Sequence, residues 1–169
     1  MNDAQPAHHS GARRVATVVT VSDRSAAGVR EDRSGPLAAE LLREAGWEAE
    51  VVVVPDEREE IAAQILAAAS RGDALLVTTG GTGLSPRDVT PEATAPLLER
   101  ELPGIAESIR AAGVAKVPAA MLSRGLAGIV EKTLVVNLAG SPGAVKDGIP
   151  VILTVASHVA DQLDGGDHP

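Results

Sequence analysis

The stretch TTGGTGLSPRDVTPEA, residues 78–93, carries the residue types best suited to chemistry. Three glycines fall within Gly80, Gly81, Thr82 and Gly83, and an Arg87-Asp88 pair follows between Pro86 and Pro91. Glycines after a strand let backbone N–H groups approach an anion closely. A helix beginning near Thr90 would point its positive end at the same place. These features predict a phosphate cradle, since a tight structural turn alone needs fewer glycines. The pattern is neither a GxGxxG fingerprint nor a P-loop, and no Lys follows it, so Arg87 is the nearest cation. Asp88 would repel phosphates unless a cation lay between them. Mg²⁺ meets that need, because it binds through one or two carboxylates plus substrate phosphates. Pairing with Arg87, or capping of the next turn, accounts for Asp88 without a metal.

A second anion site is encoded in AGSPGAV, residues 139–145. Gly140 and Ser141 lead into a helix whose first residue is Pro142, and Ser141 can cap it. An ordinary capped helix explains the same residues. Two such sites on one rim suggest an enzyme or binder that handles two phosphorylated groups. Asp56 and Glu59 fit a capping box at the start of a further helix. Arg124 and Lys146 are surface cations by default and candidate phosphate contacts.

Elements that could hold these residues follow from periodicity. VATVVTVS (15–22), EAEVVVVP (48–55) and DALLVTT (73–79) read as buried strands. Between them lie a polar loop at 22–36 and two helices. One presents Leu37, Leu41, Leu42 and Ala45 inward and is stopped by Gly46; the other, over 57–71, presents Ile61, Ile65, Leu66 and Ala69. Trp47 is placed where the first helix turns into the second strand. Strands alternating with helices imply parallel strands and right-handed crossovers. Ligands then sit outside the carboxyl ends of the strands, where the loops 22–35, 55–57 and 80–91 emerge. Downstream, helices are expected at about 92–101 and 103–113, short strands at 127–130 and 134–138, a helix from Pro142, and an apolar helix from about Ile149 to Leu163. The two short strands could instead form a hairpin, giving a mixed sheet.

Composition sets the outer bounds. The 169 residues suggest one domain, residues 14–163, between an N-terminal tail at 1–13 and a C-terminal tail at 164–169. With one Trp and no Phe or Tyr, the core must be Ala, Val, Leu and Ile, and base-stacking nucleic-acid modules are disfavoured. A net charge of -8 argues against general attraction to nucleic acid or anionic membranes. The lack of Cys removes thiolate chemistry and Cys-ligated metals. His8 and His9 belong to a solvated tail rather than a metal site. No stretch is long and apolar enough to span a bilayer, and the start lacks a signal-peptide core, so a cytoplasmic protein is expected.

These residues resemble a known family, the MogA/MoaB-type molybdenum cofactor biosynthesis proteins. GGTG-x-x-PRDVTPEA carries the resemblance, together with TVSDRSAAGVREDRSGP (20–36), VPDE (54–57), LPGIAESIR (102–110), AMLSRGLAGI (120–129) and VNLAGSPGAVKD (136–147). The resemblance covers about residues 14–163. It implies an α/β fold, a three-layer α/β/α sandwich with a mostly parallel sheet, often assembled as a homotrimer. It implies an adenylyltransferase that moves AMP from Mg-ATP to the terminal phosphate of molybdopterin and releases pyrophosphate. The molybdenum-insertion protein is the implied downstream partner. Position by position, Asp88 resembles the catalytic, Mg²⁺-associated carboxylate, and Asp56 the second acid of that site. Gly80, Gly81, Thr82 and Gly83 resemble the phosphate loop. Ser22, Asp23, Asp32, Ser34 and Gly35 fall where the family's first strand loop forms the pocket. Ser123, Asn137, Gly140 and Ser141 resemble further ligand contacts. One departure is Ala139, where the family usually has proline in NLPGSP. Two other readings compete: a pterin-binding scaffold without catalysis, and a nucleotide pyrophosphatase of the CinA type.

Overall fold

The computed structural model describes residues 14–166. The expected N-terminal tail with His8 and His9, and residues 167–169, lie outside them. The elements are β1 Val15–Val21, α1 Asp23–Ala26, α2 Ser34–Glu44, β2 Glu48–Val54, α3 Arg58–Arg71, β3 Leu75–Thr79, α4 Thr90–Thr94, β4 Arg100–Glu101, α5 Pro103–Val114, β5 Ala127–Val130, β6 Thr133–Leu138, α6 Pro142–Leu153 and α7 Ala156–Leu163. One six-stranded sheet has the order β2-β1-β3-β6-β5-β4. β2, β1, β3 and β6 run parallel, while β5 is antiparallel to β6 and β4 to β5. The hairpin alternative therefore holds, and the sheet is mixed at one edge.

Both faces of the sheet are covered. Ala38 and Leu42 of α2, Val145, Ile149 and Ile152 of α6, and Ala156 of α7 pack with Val18, Val77 and Val136. On the other face, Ile61, Ile65, Ala68 and Ala69 of α3 and Ala93 of α4 pack with Val19, Leu76 and Val135. The inner strands β3 and β6 are buried along their whole length, which explains their β-branched and aliphatic character, broken only by Asn137 in β6. Each fully buried Ile or Leu contributes about 1.5–3 kcal/mol relative to exposure. The lone Trp47 is 4% exposed and joins the α2 side.

Several boundaries differ from the sequence expectation. The loop at 22–36 contains the short α1 and already enters α2 at Ser34. Leu66, expected inward, is 44% exposed; Ala68 takes the inward place beside Ala69. The helix expected over 92–101 ends at Thr94, because Pro96 leads a 3-10 turn over Ala95–Leu97 and β4 then begins at Arg100. α6 runs through Pro150 to Leu153, so the break falls at Thr154-Val155 rather than before Ile149. Burial of Val145, Ile149 and Ile152 on one stripe outweighs the missing Pro150 amide.

Candidate active site

β1 and β3 are neighbours, but the chain leaves them toward opposite edges of the sheet, to β2 by way of α2 and to β4 by way of α4. That divergence opens a crevice at the carboxyl ends of the strands. Three loops close around it. The Asp23 amide donates to Asp56 Oδ2 at 2.8 Å, and the Asp56 amide donates to Asp23 Oδ1 at 2.9 Å. This reciprocal pair ties the loop after β1 to the loop after β2. Arg87, from the loop after β3, reaches over both. Its Nε and Nη2 donate to Asp23 at 3.0 and 2.9 Å, and Nη2 also to Glu57 at 3.0 Å. Arg87 is thus a latch among carboxylates and pairs with neither Asp88 nor an open anion position. The capping box expected of Asp56 is absent: the N-cap of α3 is Glu57, with no side-chain cap bond, and Asp56 turns to Asp23 instead.

The glycine loop is shaped by close approach to its own fold. Gly80 has φ 104°, and a Cβ there would lie 2.3 Å from the Val21 carbonyl oxygen. Gly81, at φ 68°, would meet Thr90 Oγ1 at 2.2 Å. A Cβ on Gly83 would come within 2.9 Å of Asp88 Oδ2, so Gly83 leaves room for that carboxylate. Gly80 N–H donates to the Leu138 carbonyl at 2.9 Å and is engaged. The amides of Gly81, Thr82 and Gly83, in contrast, have no acceptor among the described residues. Asp88 closes its own turn: Ser85 N–H donates to Asp88 Oδ2 at 2.9 Å, and Asp88 N–H to the Ser85 carbonyl at 2.9 Å. Neither metal-free role considered for Asp88 is realised: Arg87 pairs elsewhere, α4 has no side-chain cap, and Asp88 closes the preceding Ser85 turn instead. Asp88 Oδ1 keeps no hydrogen bond among the described residues, and neither does Asp56 Oδ1.

Three depressions follow one another along this rim. A polar one of about 340 Å³ is lined by Ser22, Glu31, Asp32, Ser34, Asp56, Gly81, Asp88 and Gly140, with Arg30 and Arg33 at its side. A central one of about 510 Å³ is lined by Gly80, Gly81, Thr82, Gly83, Asp88, Ser123 and Gly140. An apolar one of about 360 Å³ lies between α5 and α6 and includes Ser123, Ala139, Ser141, Arg110, Lys116 and Lys146. Asp88, Gly81 and Gly140 are shared by the first two; Ser123 and Ala139 by the second and third. The rim is therefore a continuous groove with Asp88 near one junction.

Most of the expected site residues meet in this groove. Ser141 caps α6 through the Ala144 amide at 3.1 Å, as expected. Ser22 likewise caps α1 through the Ser25 amide at 3.2 Å. Three expected residues stand behind the groove. Asp23 belongs to the latch. Gly35 lets α2 start against β1, where a Cβ would sit 2.2 Å from Thr20 Oγ1. Asn137 is 4% exposed and fully engaged: it donates to Thr78 and Thr94 hydroxyls at 3.0 and 3.1 Å, and accepts from the Leu126 amide at 3.1 Å. Asp32 faces the polar cavity but is also bound by the Thr20 hydroxyl at 2.7 Å and the Gly35 amide at 3.0 Å.

The charges of the site push its carboxylates apart. Burial raises the Asp56 carboxyl above its ordinary value; the Asp23 amide works against this, and the negative charges of Asp23 and Asp88 add to it. Asp23 is held below its ordinary value by the Arg87 guanidinium, helped by the Asp56 amide. Arg124, by default a surface cation in the sequence, is bound to Glu92, which it holds below the usual carboxylate range. Among the described residues, no group of three or more His, Asp or Glu side chains is arranged to hold a metal by itself. Asp56 and Asp88 offer two carboxylates, so any cation here would need oxygens from a ligand as well.

Comparison with known proteins places this arrangement. Residues 17–158 match the family model described as a probable molybdopterin binding domain. A molybdenum cofactor biosynthesis bifunctional protein of Synechococcus elongatus is 45% identical over 154 residues, 90% of this chain and 48% of that protein. The chain thus spans about half the length of that curated relative. A molybdopterin adenylyltransferase of Pyrococcus furiosus is 41% identical over 147 residues, covering 84% of this chain and 86% of that one. The crystal structure of a molybdopterin biosynthesis protein from Mycobacterium abscessus superposes with a TM-score of 0.86 at 51% identity, over 90% of this chain and 98% of that chain. No helix of the described residues is long and apolar enough to cross a membrane. With residues 17–158 matched by the family model and more than four-fifths of its length by these relatives, the chain belongs to the molybdopterin-binding family of molybdenum cofactor biosynthesis proteins.

Proposed function

We propose that this protein is a molybdopterin adenylyltransferase. An oxygen of the molybdopterin terminal phosphate attacks the α-phosphorus of ATP. The bond from that phosphorus to the bridging oxygen of the β-phosphate breaks, and pyrophosphate leaves. One observation carries the reading above others: three amides without acceptors, at Gly81, Thr82 and Gly83, share a cavity with Asp88. Those amides are oriented donors for phosphate oxygens, and the groove on either side has room for two ligands. A phosphate is already a nucleophile at neutral pH, so the residues need only align two anions and offset their repulsion.

The donor set suits Mg²⁺. Asp56 and Asp88 each keep an oxygen without a hydrogen bond, and the Asp88 charge disfavours ionisation of Asp56. Mg²⁺ would supply charge neutralisation across the reacting phosphates. Asp88 and Asp56 would hold it, the amides of the glycine loop would orient the phosphates, and the Arg87 latch would keep the three loops in register. The reading also includes a cytoplasmic setting, a homotrimer and hand-over to the molybdenum-insertion protein. Exposed Leu84, Val117, Met121 and Leu122 supply apolar area for a protein contact.

The test is pyrophosphate release from Mg-ATP with and without molybdopterin. Release that requires the pterin and vanishes in Asp88→Ala is the expected result. AMP formed without pterin would instead indicate a pyrophosphatase. Pterin binding with no turnover would indicate a carrier.

A further inference from the structure

Arg124 lies outside the glycine loop in sequence, yet it holds the loop at three points. Its backbone amide donates to the Thr82 carbonyl at 2.9 Å. Its Nε donates to the Gly83 carbonyl at 2.8 Å, and its Nη2 to the Asp88 carbonyl at 2.9 Å. Its Nη1 pairs with Glu92, in the first turn of α4, which keeps the fork aimed. The two carbonyls it bridges flank the segment from Gly83 to Asp88, so one planar group fixes both ends of the turn that carries the carboxylate. Only a guanidinium presents donors in this rigid fork; an ammonium is a point charge on a flexible stem.

We infer that Arg124 is a positioning residue for Asp88: it sets the carboxylate in the groove through the backbone on either side of it, without touching a reactant itself. The step it serves rests on the adenylyl-transfer reading above. Arg124 and Glu92 side chains are 35% and 34% exposed and belong to neither apolar core cluster, so a change at Arg124 leaves the core packing in place. Removing the fork loosens a loop that no sheet bond restrains between Leu84 and Arg87 and leaves it to the Arg87 latch alone, and the metal-holding carboxylate then samples unproductive positions. A misplacement of this kind lowers turnover more than ground-state binding.

The experiment pairs activity with a readout that needs no turnover. Amide hydrogen exchange of Ser85 and Asp88 is followed by NMR in the wild type, Arg124→Ala and Arg124→Lys, with thermal unfolding of each. Exchange of these two amides is expected to rise at least tenfold in both variants, while core amides of β3 and β6 stay protected and the melting temperature moves by only a few degrees. Steady-state kinetics with Mg-ATP and molybdopterin is expected to show a kcat loss of about 10- to 100-fold, with KM for ATP within threefold of wild type. Arg124→Lys is expected to recover less than threefold of that loss. Unchanged exchange at Ser85 and Asp88 in Arg124→Ala overturns the inference. So does full recovery by Lys, which would reduce Arg124 to neutralising Glu92. A raised KM at unchanged kcat also overturns it, by making Arg124 a binding group. If the wild type itself shows no pterin-dependent turnover, the adenylyl-transfer reading fails, and the exchange data still decide whether Arg124 fixes the loop.

Discussion

The two ends of the sheet treat their carboxylates in opposite ways: the one at the amino end is buried and those at the carboxyl end are half-buried. At the amino end, Asp73 is 4% exposed and accepts at one oxygen from the Thr17 hydroxyl and from Arg71, each at 2.8 Å. Arg71 also reaches Thr17 at 3.0 Å, and the Thr133 hydroxyl donates to the Asp73 carbonyl at 2.6 Å. This acid joins β1, β3, β6 and the end of α3, with an opposite charge in contact. At the carboxyl end, Asp56 and Asp88 take one backbone amide each through their side chains, face a groove with their other oxygens, and stand close enough for one charge to penalise the other. The first arrangement closes a structure. The second leaves acceptor capacity that a ligand or cation can fill, as the proposed function requires.

That contrast predicts which change costs activity and which costs stability. Asp88→Ala is expected to lower pterin-dependent pyrophosphate release by roughly a thousandfold or more, the scale of losing a principal electrostatic group. Its urea midpoint should stay near wild type, because only the Ser85 turn loses a partner. Asp73→Ala is expected to do the reverse. It leaves the buried Thr17 hydroxyl only the distant Glu50 carboxylate, at 3.5 Å, to donate to, and it uncovers one side of Arg71, which is itself half exposed and can recover solvent. A loss of about 2 kcal/mol follows, or a fall of roughly 4–8 °C in melting temperature for a chain of this size, with turnover per folded molecule kept. Equal destabilisation by the two substitutions would erase the distinction between the two ends.

A finer test uses protons. Because the Asp56 carboxyl is raised, its proton is held more tightly in the folded chain than in the unfolded one. The associated stability is fully present below the ordinary Asp value and is lost as pH rises through the folded value. Burial is the main cause and the Asp88 charge a smaller one. Asp88→Asn is therefore expected to lower the Asp56 pKa part of the way toward normal, measured by the carboxyl carbon shift during an NMR titration. An unmoved Asp56 would show that the two acids do not share the site.

The asymmetry between the ends also explains what the sequence could tell. Periodicity locates β1, β3 and β6 and puts the loops at the carboxyl rim, because burial on both faces writes a long apolar run. The glycine loop, with Asp88, is local in sequence and stands out for the same reason. Tertiary partners are not local. Asp56 reads as a helix cap beside Glu59, yet its partner Asp23 is brought to it by the pairing of β1 with β2. Arg87 reads as a phosphate cation, yet two carboxylates from other loops claim it. Arg124 lies 36 residues from the carbonyl of Asp88 that it holds, and a lone Arg in SRG gives no sign of that. Asn137 shows the converse: a residue of the family pattern that sits among Thr78, Thr94 and Leu126 inside the fold, supporting the groove from below.

The smallest predicted effect tests the one departure from the family pattern. Ala139 follows β6 and lines the central and apolar parts of the groove. Its amide has no acceptor among the described residues, so proline would remove no hydrogen bond there. The preceding Leu138 ends a strand and is extended, the conformation that a residue before proline prefers. Ala139→Pro is accordingly expected to stabilise the fold by about 0.4–1 kcal/mol, through fewer unfolded conformations rather than new contacts. Differential scanning calorimetry would register this as a melting temperature raised by roughly 1–4 °C. A lowered melting temperature would mean that the backbone at 139 departs from the proline angle. In that case the groove floor here would be built differently from the NLPGSP turn, at the junction between the central and apolar cavities.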